Sequence, residues 1–308
     1  MPWTVDDIPD LTGRTAVVTG ANSGIGFRAA VELARRGALV TLTARDPGRG
    51  ADALARLRAE VPAAAVELAP LDLADLASVR AFADGWDDDL DLLVNNAGVM
   101  AVPLRRTPDG FESQFGTNHL GHFALTGLLL PRLTARPGAR VVTVTSGVHA
   151  AGRIDFGNLD AERHYRKWPA YAQSKLANLL FAFELQDRAD AVGLDLRSVA
   201  AHPGYAATNL QTAGPKLAGS KVGEAGAALF TRIAGQPDSQ GALPTLRAAT
   251  DPAVRGGEVF GPDGFMELRG APKQVAVSRR ARNRSTAERL WTISEDRTGV
   301  TYPAFAPV

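Results

Sequence analysis

The chain has 308 residues, 45% of them hydrophobic and 22% charged, enough to bury one large core and too apolar for a disordered polypeptide. Its 34 cationic and 33 acidic side chains leave a net charge of +1, so no nucleic-acid partner and no general attraction to an anionic membrane are expected. The absence of cysteine removes disulfides, thiolate metal sites and a cysteine nucleophile, and leaves oxygen, nitrogen or a bound cofactor to carry any chemistry. Met1 to Asp10 places three Asp and no cation ahead of any apolar run, unlike a secretory signal. The longest apolar stretch, Leu125 to Leu133, contains Pro131 and falls short of the roughly 20 residues of a membrane span. A cytoplasmic protein without a membrane partner is the expectation.

From residue 14 to about residue 201, strand-like apolar runs alternate with helix-length amphipathic segments. Strands are expected at Thr15 to Thr19, Leu39 to Thr43, Val66 to Pro70, Leu90 to Asn95, Arg140 to Ser146 and Asp195 to Ala201. Helices are expected at Ile25 to Arg36, Arg49 to Glu60, Leu76 to Trp86, Phe111 to Thr134 and Pro169 to Ala191. Such alternation predicts an α/β fold: a doubly wound parallel sheet with helices on both faces and ligands at the carboxyl ends of its strands. No internal repeat divides the chain, so residues 1–308 read as a single domain. Residues 205–240, rich in Gly, Ala, Ser and Pro, read as a substrate lid over the ligand face.

Three patterns carry chemistry. Directly after the first strand comes Thr19-Gly20-Ala21-Asn22-Ser23-Gly24-Ile25-Gly26. Its glycines permit a tight turn and a close approach of pyrophosphate to the main chain, with the N–H groups of the following helix facing the anion. Tyr171 and Lys175 lie four residues apart near a helix start, so phenol and ammonium share one face. Chance would produce that spacing roughly 0.06 times in such a chain. A nearby cation favours the phenolate, which makes the pair an acid/base device. Ser146 ends the fifth strand, at the edge where ligands bind, 25 residues before Tyr171. His119 and His122 lack a carboxylate at useful spacing, so no metal site is expected. His202 reads as packing, and the Arg279, Arg280, Arg282, Arg284 cluster as a solvated surface.

The glycine turn and the Tyr-x3-Lys pair together resemble the short-chain dehydrogenase/reductase family, and the resemblance extends from about residue 13 to residue 210. It implies a single-domain Rossmann fold and a nicotinamide cofactor lying along Gly20, Asn22, Ser23, Gly24, Ile25 and Gly26. By the same resemblance Tyr171 exchanges a proton with the substrate oxygen, Ser146 hydrogen-bonds that oxygen, and Lys175 holds the nicotinamide ribose. Asn118 supports a water that relays protons to the lysine. Asp72 and Leu73 border the adenine, and Asn95, Ala97 and Gly98 border the adenosine ribose. Pro203, Gly204 and Thr208 contact the nicotinamide carboxamide and pyrophosphate. Members that prefer NAD(H) place an acid at the end of the second strand, where this chain has Ala44 followed by Arg45. A guanidinium pairs well with a 2′-phosphate, and Asp46, the rival acid, precedes Pro47 like a helix cap. NADP(H) is therefore the expected cofactor, with NAD(H) as the alternative.

Between Ser146 and Tyr171 lie 24 residues, more than in compact family members. Gly152 to Phe156, Asn158-Leu159 and Tyr171 to Leu180 resemble the retinol dehydrogenase and WW-domain oxidoreductase branch, which implies a lipophilic ketone, aldehyde or alcohol as substrate and a carbonyl reductase activity. The family also pairs through the helices carrying Asn118 and Tyr171, so a homodimer or homotetramer is expected. Two other readings stay open at this stage: a dinucleotide-binding sensor or scaffold without turnover, and an epimerase or dehydratase using the same Tyr-Lys pair.

Overall fold

The computed structural model describes residues 1–204 and 236–305. Its centre is one eight-stranded sheet in the order β3-β2-β1-β4-β5-β6-β7-β8. The strands are β1 (Thr15–Val18), β2 (Leu39–Ala44), β3 (Val66–Pro70), β4 (Leu92–Asn95), β5 (Ala139–Val144), β6 (Leu196–Ala201), β7 (Val259–Pro262) and β8 (Pro272–Gln274). Every pairing is parallel except β7 with β8. Because side chains alternate faces along a strand, Ala16 and Val18 join one core with Val94 and Val142, while Val17, Leu93 and Val141 join another. The first is closed by α1 (Gly24–Arg35), α2 (Pro47–Glu60) and α7 (Asp238–Thr250), the second by α3 (Leu76–Asp84), α5 (Gly121–Leu133) and α6 (Lys167–Ala191). The expected single-domain Rossmann architecture is thus present, and the neighbours β1 and β4, where the strand order reverses, open the ligand crevice.

Four departures from the expected elements matter for the site. The segment expected as one helix from Phe111 to Thr134 is built in three contiguous pieces: α4 (Ser113–Phe115), a π-helical turn (Gly116–Leu120) and α5. The wider turn holds Asn118, and π-turns of this kind occur frequently at functional positions. A 3-10 turn (Gly147–Ala151) follows Ser146. The strands β7 and β8 lie beyond the expected six; they are short, and the first carries both Gly and Pro, so no two-residue alternation marks them in the sequence. Of the expected lid, residues 205–235 lie outside the described residues, whereas Asp238 to Gln240 open α7, which packs on the sheet and α1.

The C-terminal helix α8 (Arg284–Thr298) and the tail behind it cap α5 and α6. Trp291 stacks on Phe181 with ring centroids 5.9 Å apart, and the Tyr302 hydroxyl donates to the Phe123 carbonyl at 2.6 Å. Gly127 faces the Tyr302 ring so closely that a Cβ there would lie 2.7 Å from it. Much of the surface of the two long helices through which the resemblance implies pairing is therefore occupied by the chain's own C-terminus. Among the described residues, no helix is long and apolar enough to cross a membrane.

Candidate active site

At the carboxyl ends of β1, β2, β4 and β5 lies a cavity of about 680 Å³ that runs from Arg45 and Asp72 at one end to Ser146, Tyr171 and Trp168 at the other. That volume is of the order needed for a cofactor together with a small molecule. The glycine turn forms one wall. Gly20 has φ of +63° and no room for a side chain, since a Cβ would lie 2.8 Å from that of Ala97. Ser23 is the N-cap of α1, and intrahelical bonding begins only with Phe27 N–H to the Ser23 carbonyl, so the first turn presents its N–H groups to the cleft.

One hydroxyl ties the glycine turn to the rest of the cleft. Thr19 Oγ1 accepts the backbone N–H groups of Asn96 and Ala97 at 2.8 and 2.9 Å and lies 2.9 Å from His122 Nε2. The other ring nitrogen, Nδ1, is 3.0 Å from the Asn118 carbonyl, which can only accept. Nδ1 therefore carries the proton, Nε2 is an acceptor, and the Thr19 hydroxyl donates to it. Burial lowers the His122 pKa to about 4 and that of His119 to about 3, so both rings are neutral. His119 packs against Ser294 of α8 at 2.9 Å. Neither histidine belongs to a metal-ligand group, and the described residues contain no cluster able to hold a metal.

Asn118, Ser146, Tyr171 and Lys175 converge at the far end. The Asn118 amide is fully committed: Nδ2 donates to the Val99 carbonyl at 3.0 Å and to Ser174 Oγ at 2.9 Å, and Oδ1 accepts the Val99 N–H at 2.8 Å. Lys175 Nζ donates to the Val144 carbonyl at 3.1 Å and stands 5.9 Å from the Tyr171 ring centre. Gly98 leaves space for both, since a Cβ would lie 3.0 Å from Asn118 Oδ1 and 3.5 Å from Lys175 Nζ. The electrostatics differ from the expectation of a phenolate. Burial pushes Tyr171 up to about 12, with a hydrogen bond from the Ser146 side chain acting in the opposite sense, and the same desolvation lowers Lys175 to about 8. At neutral pH the site thus holds an intact phenol beside an ammonium.

The remaining expected residues divide into those that line the cleft and those that do not. Gly20, Asn22, Ser23, Gly24, Ile25, Gly26, Arg45, Asp72, Leu73, Ala97, Gly98, Pro203 and Gly204 all line it. Asn95 does not: it is fully buried beneath the sheet, where Nδ2 donates to Thr126 Oγ1 at 3.0 Å, and the adjacent Asn96 takes the wall position. A strand end offers alternate faces, and a one-residue step exchanges core for cleft. Thr208 lies outside the described residues. Asp46 caps α2 by accepting the Arg49 N–H at 2.9 Å, which turns the first helical residues toward the cleft and adds Arg49 to Arg45 at the end that Asp46 and Asp72 also line. Arg49, Met100 and Trp168 also line the cleft without a motif that marks them, and the Asp46-Pro47 cap is the one signal in the sequence that locates Arg49. His202 is buried as expected, and it also does more than pack. Its Nδ1 accepts the Gly204 N–H at 3.3 Å and its Nε2 donates to the Glu267 carboxylate at 2.9 Å, which holds Pro203 and Gly204 in place.

The short chain dehydrogenase family profile matches residues 14–216. Human retinol dehydrogenase 12 is 40% identical over 296 residues, covering 94% of this chain and 88% of the relative. The chain belongs to the short-chain dehydrogenase/reductase family, in its retinol dehydrogenase branch. A crystal structure of an uncharacterized protein from Mycobacterium paratuberculosis is 46% identical, with a TM-score of 0.81 over 98% of this chain and all of the other. RhlG of Pseudomonas aeruginosa, solved as an active-site complex with NADP, is 27% identical, with a TM-score of 0.63 over 84% of this chain and 98% of the other. Membership establishes an enzyme family of NAD(P)-dependent oxidoreductases, and the cleft carries the family's motif residues in one place.

The Thr19 hydroxyl makes a direct prediction within this short-chain dehydrogenase/reductase. Thr19→Val keeps the shape but removes the acceptor of the Ala97 N–H and the donor to the His122 ring, at a cost of about 1–3 kcal/mol for each group left without a partner, while the Asn96 N–H retains the Val94 carbonyl at 3.0 Å. The expected outcome is a lower thermal midpoint and a cofactor affinity weakened by about tenfold or more, read by fluorescence titration. Thr19→Ser restores both.

Proposed function

We propose that the protein is an NADP(H)-dependent carbonyl reductase and alcohol dehydrogenase for lipophilic ketones, aldehydes or alcohols, with Tyr171 as general acid and base. The observation that carries the reading is the convergence of Ser146, Tyr171 and Lys175 on one cleft whose opposite end is glycine-walled and holds the Arg45 and Arg49 guanidiniums. The residues fit a nicotinamide dinucleotide. The α1 amino end would hold its pyrophosphate, Asp72 and Leu73 its adenine, and Lys175 its nicotinamide ribose, while Arg45 and Arg49 would take a 2′-phosphate. When bound, the nicotinamide supplies or accepts the hydride.

The chain's own residues handle the proton. Ser146 and Tyr171 hydrogen-bond the substrate oxygen, polarising a carbonyl toward hydride addition. As negative charge grows on that oxygen, the Tyr171 phenol transfers its proton and completes the alcohol; oxidation runs the same transfer backwards. A phenol held near 12 is a donor throughout the physiological range. The Lys175 ammonium supports the phenolate left behind, and the Val144 carbonyl keeps it oriented. Asn118 is the positioning residue at the back of this group: it fixes Val99 and Ser174. At the substrate end, Met100, Val148 and Trp168 give an apolar wall beside the phenol, which suits a lipophilic carbonyl, as does the similarity to a retinol dehydrogenase.

Three measurements test this reading. Tyr171→Phe lowers kcat/KM for NADPH-driven carbonyl reduction by about 10²–10⁴-fold and leaves cofactor affinity nearly unchanged; activity close to wild type refutes the acid role. For the wild type, kcat/KM for NADPH, which reports the free enzyme, is level at neutral pH and declines as pH rises through about 8, where Lys175 loses its proton. Lys175→Met abolishes that limb, and a profile that rises through the same region contradicts the assignment. Arg45→Ala removes a charged partner worth about 1.5–3 kcal/mol, so kcat/KM for NADPH falls by roughly 10–100-fold while that for NADH is unchanged. Equal losses with both cofactors, or a wild type that prefers NADH, dismiss the NADP(H) preference.

A further inference from the structure

The substrate end of the cleft is bounded by two stretches of main chain that are distant in sequence. On one side Met100 and Ala101 come from the loop after β4, and on the other Lys167 and Trp168 form the first turn of α6. Behind both lies the fully buried side chain of Gln114, in the short helix α4. Its Oε1 accepts the Ala101 N–H at 2.7 Å, and its Nε2 donates to the Lys167 carbonyl at 2.9 Å and to the Tyr165 hydroxyl at 2.9 Å. Tyr165 passes its own proton to the Val102 carbonyl at 2.7 Å. The orientation of the amide is unambiguous, since a backbone N–H can only donate and a carbonyl can only accept. Each hydrogen of the amide has one acceptor.

Gln114 is itself held. The buried Glu112 carboxylate caps α4 and accepts the N–H groups of Gln114 and Phe115, both at 2.8 Å. Ala101 is in the left-handed region at φ of +49°, a conformation that an alanine keeps only under external restraint, and the bond from Gln114 supplies one. The amide is thus a rigid link between the two walls of the substrate mouth, and it is the inner anchor of the long insertion between Ser146 and Tyr171.

We propose that Gln114 is a positioning residue that sets the separation of the Ala101 and Lys167 walls, and so the girth of the carbonyl compound admitted to Tyr171. The proposal rests on the carbonyl-reductase reading above and adds to it the element that limits substrate size. Gln114 bonds neither to the glycine turn nor to the Arg45 end of the cleft, so its loss acts on the substrate and spares the cofactor.

The test compares Gln114→Met, which keeps length and removes all three bonds, with Tyr165→Phe, which removes the bonds from Gln114 to the hydroxyl and from the hydroxyl to Val102 and spares the two bonds of Gln114 to backbone. Each is assayed with NADPH against a small aldehyde, propanal, and a bulky bicyclic ketone, trans-1-decalone, and each is titrated with NADPH alone. In Gln114→Met the ratio of kcat/KM for the two carbonyls moves by about tenfold, mainly through KM, with NADPH affinity within about twofold of wild type; Tyr165→Phe moves the ratio in the same direction by less. An unchanged ratio in both variants overturns the proposal, as does a parallel loss of NADPH affinity. If Gln114→Met fails to fold, Tyr165→Phe alone decides between these outcomes. A wild type that binds NADPH and reduces neither carbonyl sinks the carbonyl-reductase reading itself, a result distinct from an unchanged ratio.

Discussion

The whole site hangs on the desolvated hydroxyl of Thr19. It is the first residue past β1, at the point where the sheet reverses its order, and it gathers three separate stretches of chain around one oxygen atom. Two N–H groups from the turn after β4 converge on its lone pairs, and its proton goes to His122 of α5. Through the imidazole the link continues to the Asn118 carbonyl in the π-helical turn. Asn96 adds a second strap, its Nδ2 donating to the Thr19 carbonyl at 2.7 Å. A Cβ on Gly26 would lie 2.3 Å from that same nitrogen. The third glycine of the turn is thus required by packing against Asn96 as well as by any ligand. The glycine turn, the sheet and the π-helical turn that holds Asn118 are therefore one hydrogen-bonded unit, and a buried donor or acceptor left alone within it has no water to replace its partner.

That rigidity makes an otherwise unfavourable arrangement tenable. The Lys175 ammonium is buried and bonds to a backbone carbonyl, with no carboxylate among its hydrogen-bond partners in the described residues. Taking a charge out of water without an opposite charge is costly, and the fall of its pKa to about 8 expresses that cost. The fold meets part of it with the Val144 carbonyl, shared with Asn178 Nδ2, and with the packing of α6, whose residues from Tyr171 to Gln186 are all buried. The result is a cation poised beside a neutral phenol, in a cleft whose other end mixes the Arg45 and Arg49 guanidiniums with the Asp46 and Asp72 carboxylates. An anionic group bound beside the lysine would restore its preference for the charged form.

Local chemistry made most of the sheet and the cofactor wall legible in the sequence. The glycine spacing, the apolar runs of β1 to β6 and the Asp46-Pro47 cap are each decided by neighbours a few residues apart. Legibility failed where the deciding partner is remote or where a strand is too short to show a pattern. Asn95 and Asn96 are chemically equivalent in sequence, and only the packing of Thr126 against one of them separates core from cleft. The expected phenolate failed for a related reason: spacing along a helix reports the cation four residues away and says nothing of how deeply both groups are buried. β7 and β8 gain their place from edge pairing rather than from any periodicity of their own.

The same distinction explains why the cofactor end of this enzyme reads more clearly than the substrate end. The cofactor wall is built from turns that each follow a strand, so sequence position alone places them at one edge of the sheet. The substrate mouth is assembled from contacts between loops: Gln114 to Lys167 across 53 positions, Tyr165 to Val102 across 63. Arg297 of α8 reaches Asp160 in the same insertion at 2.7 Å, across 137 positions. His119 to Ser294 ties α8 to the π-helical turn across 175. The C-terminal helix therefore braces both the π-helical turn that holds Asn118 and the insertion that shapes the mouth. A segment far outside the glycine turn and the Tyr-Lys helix has become part of the frame that positions them, because burying Trp291 and Tyr302 against Phe123 and Phe181 fixes the outer faces of the very helices whose inner faces carry the site.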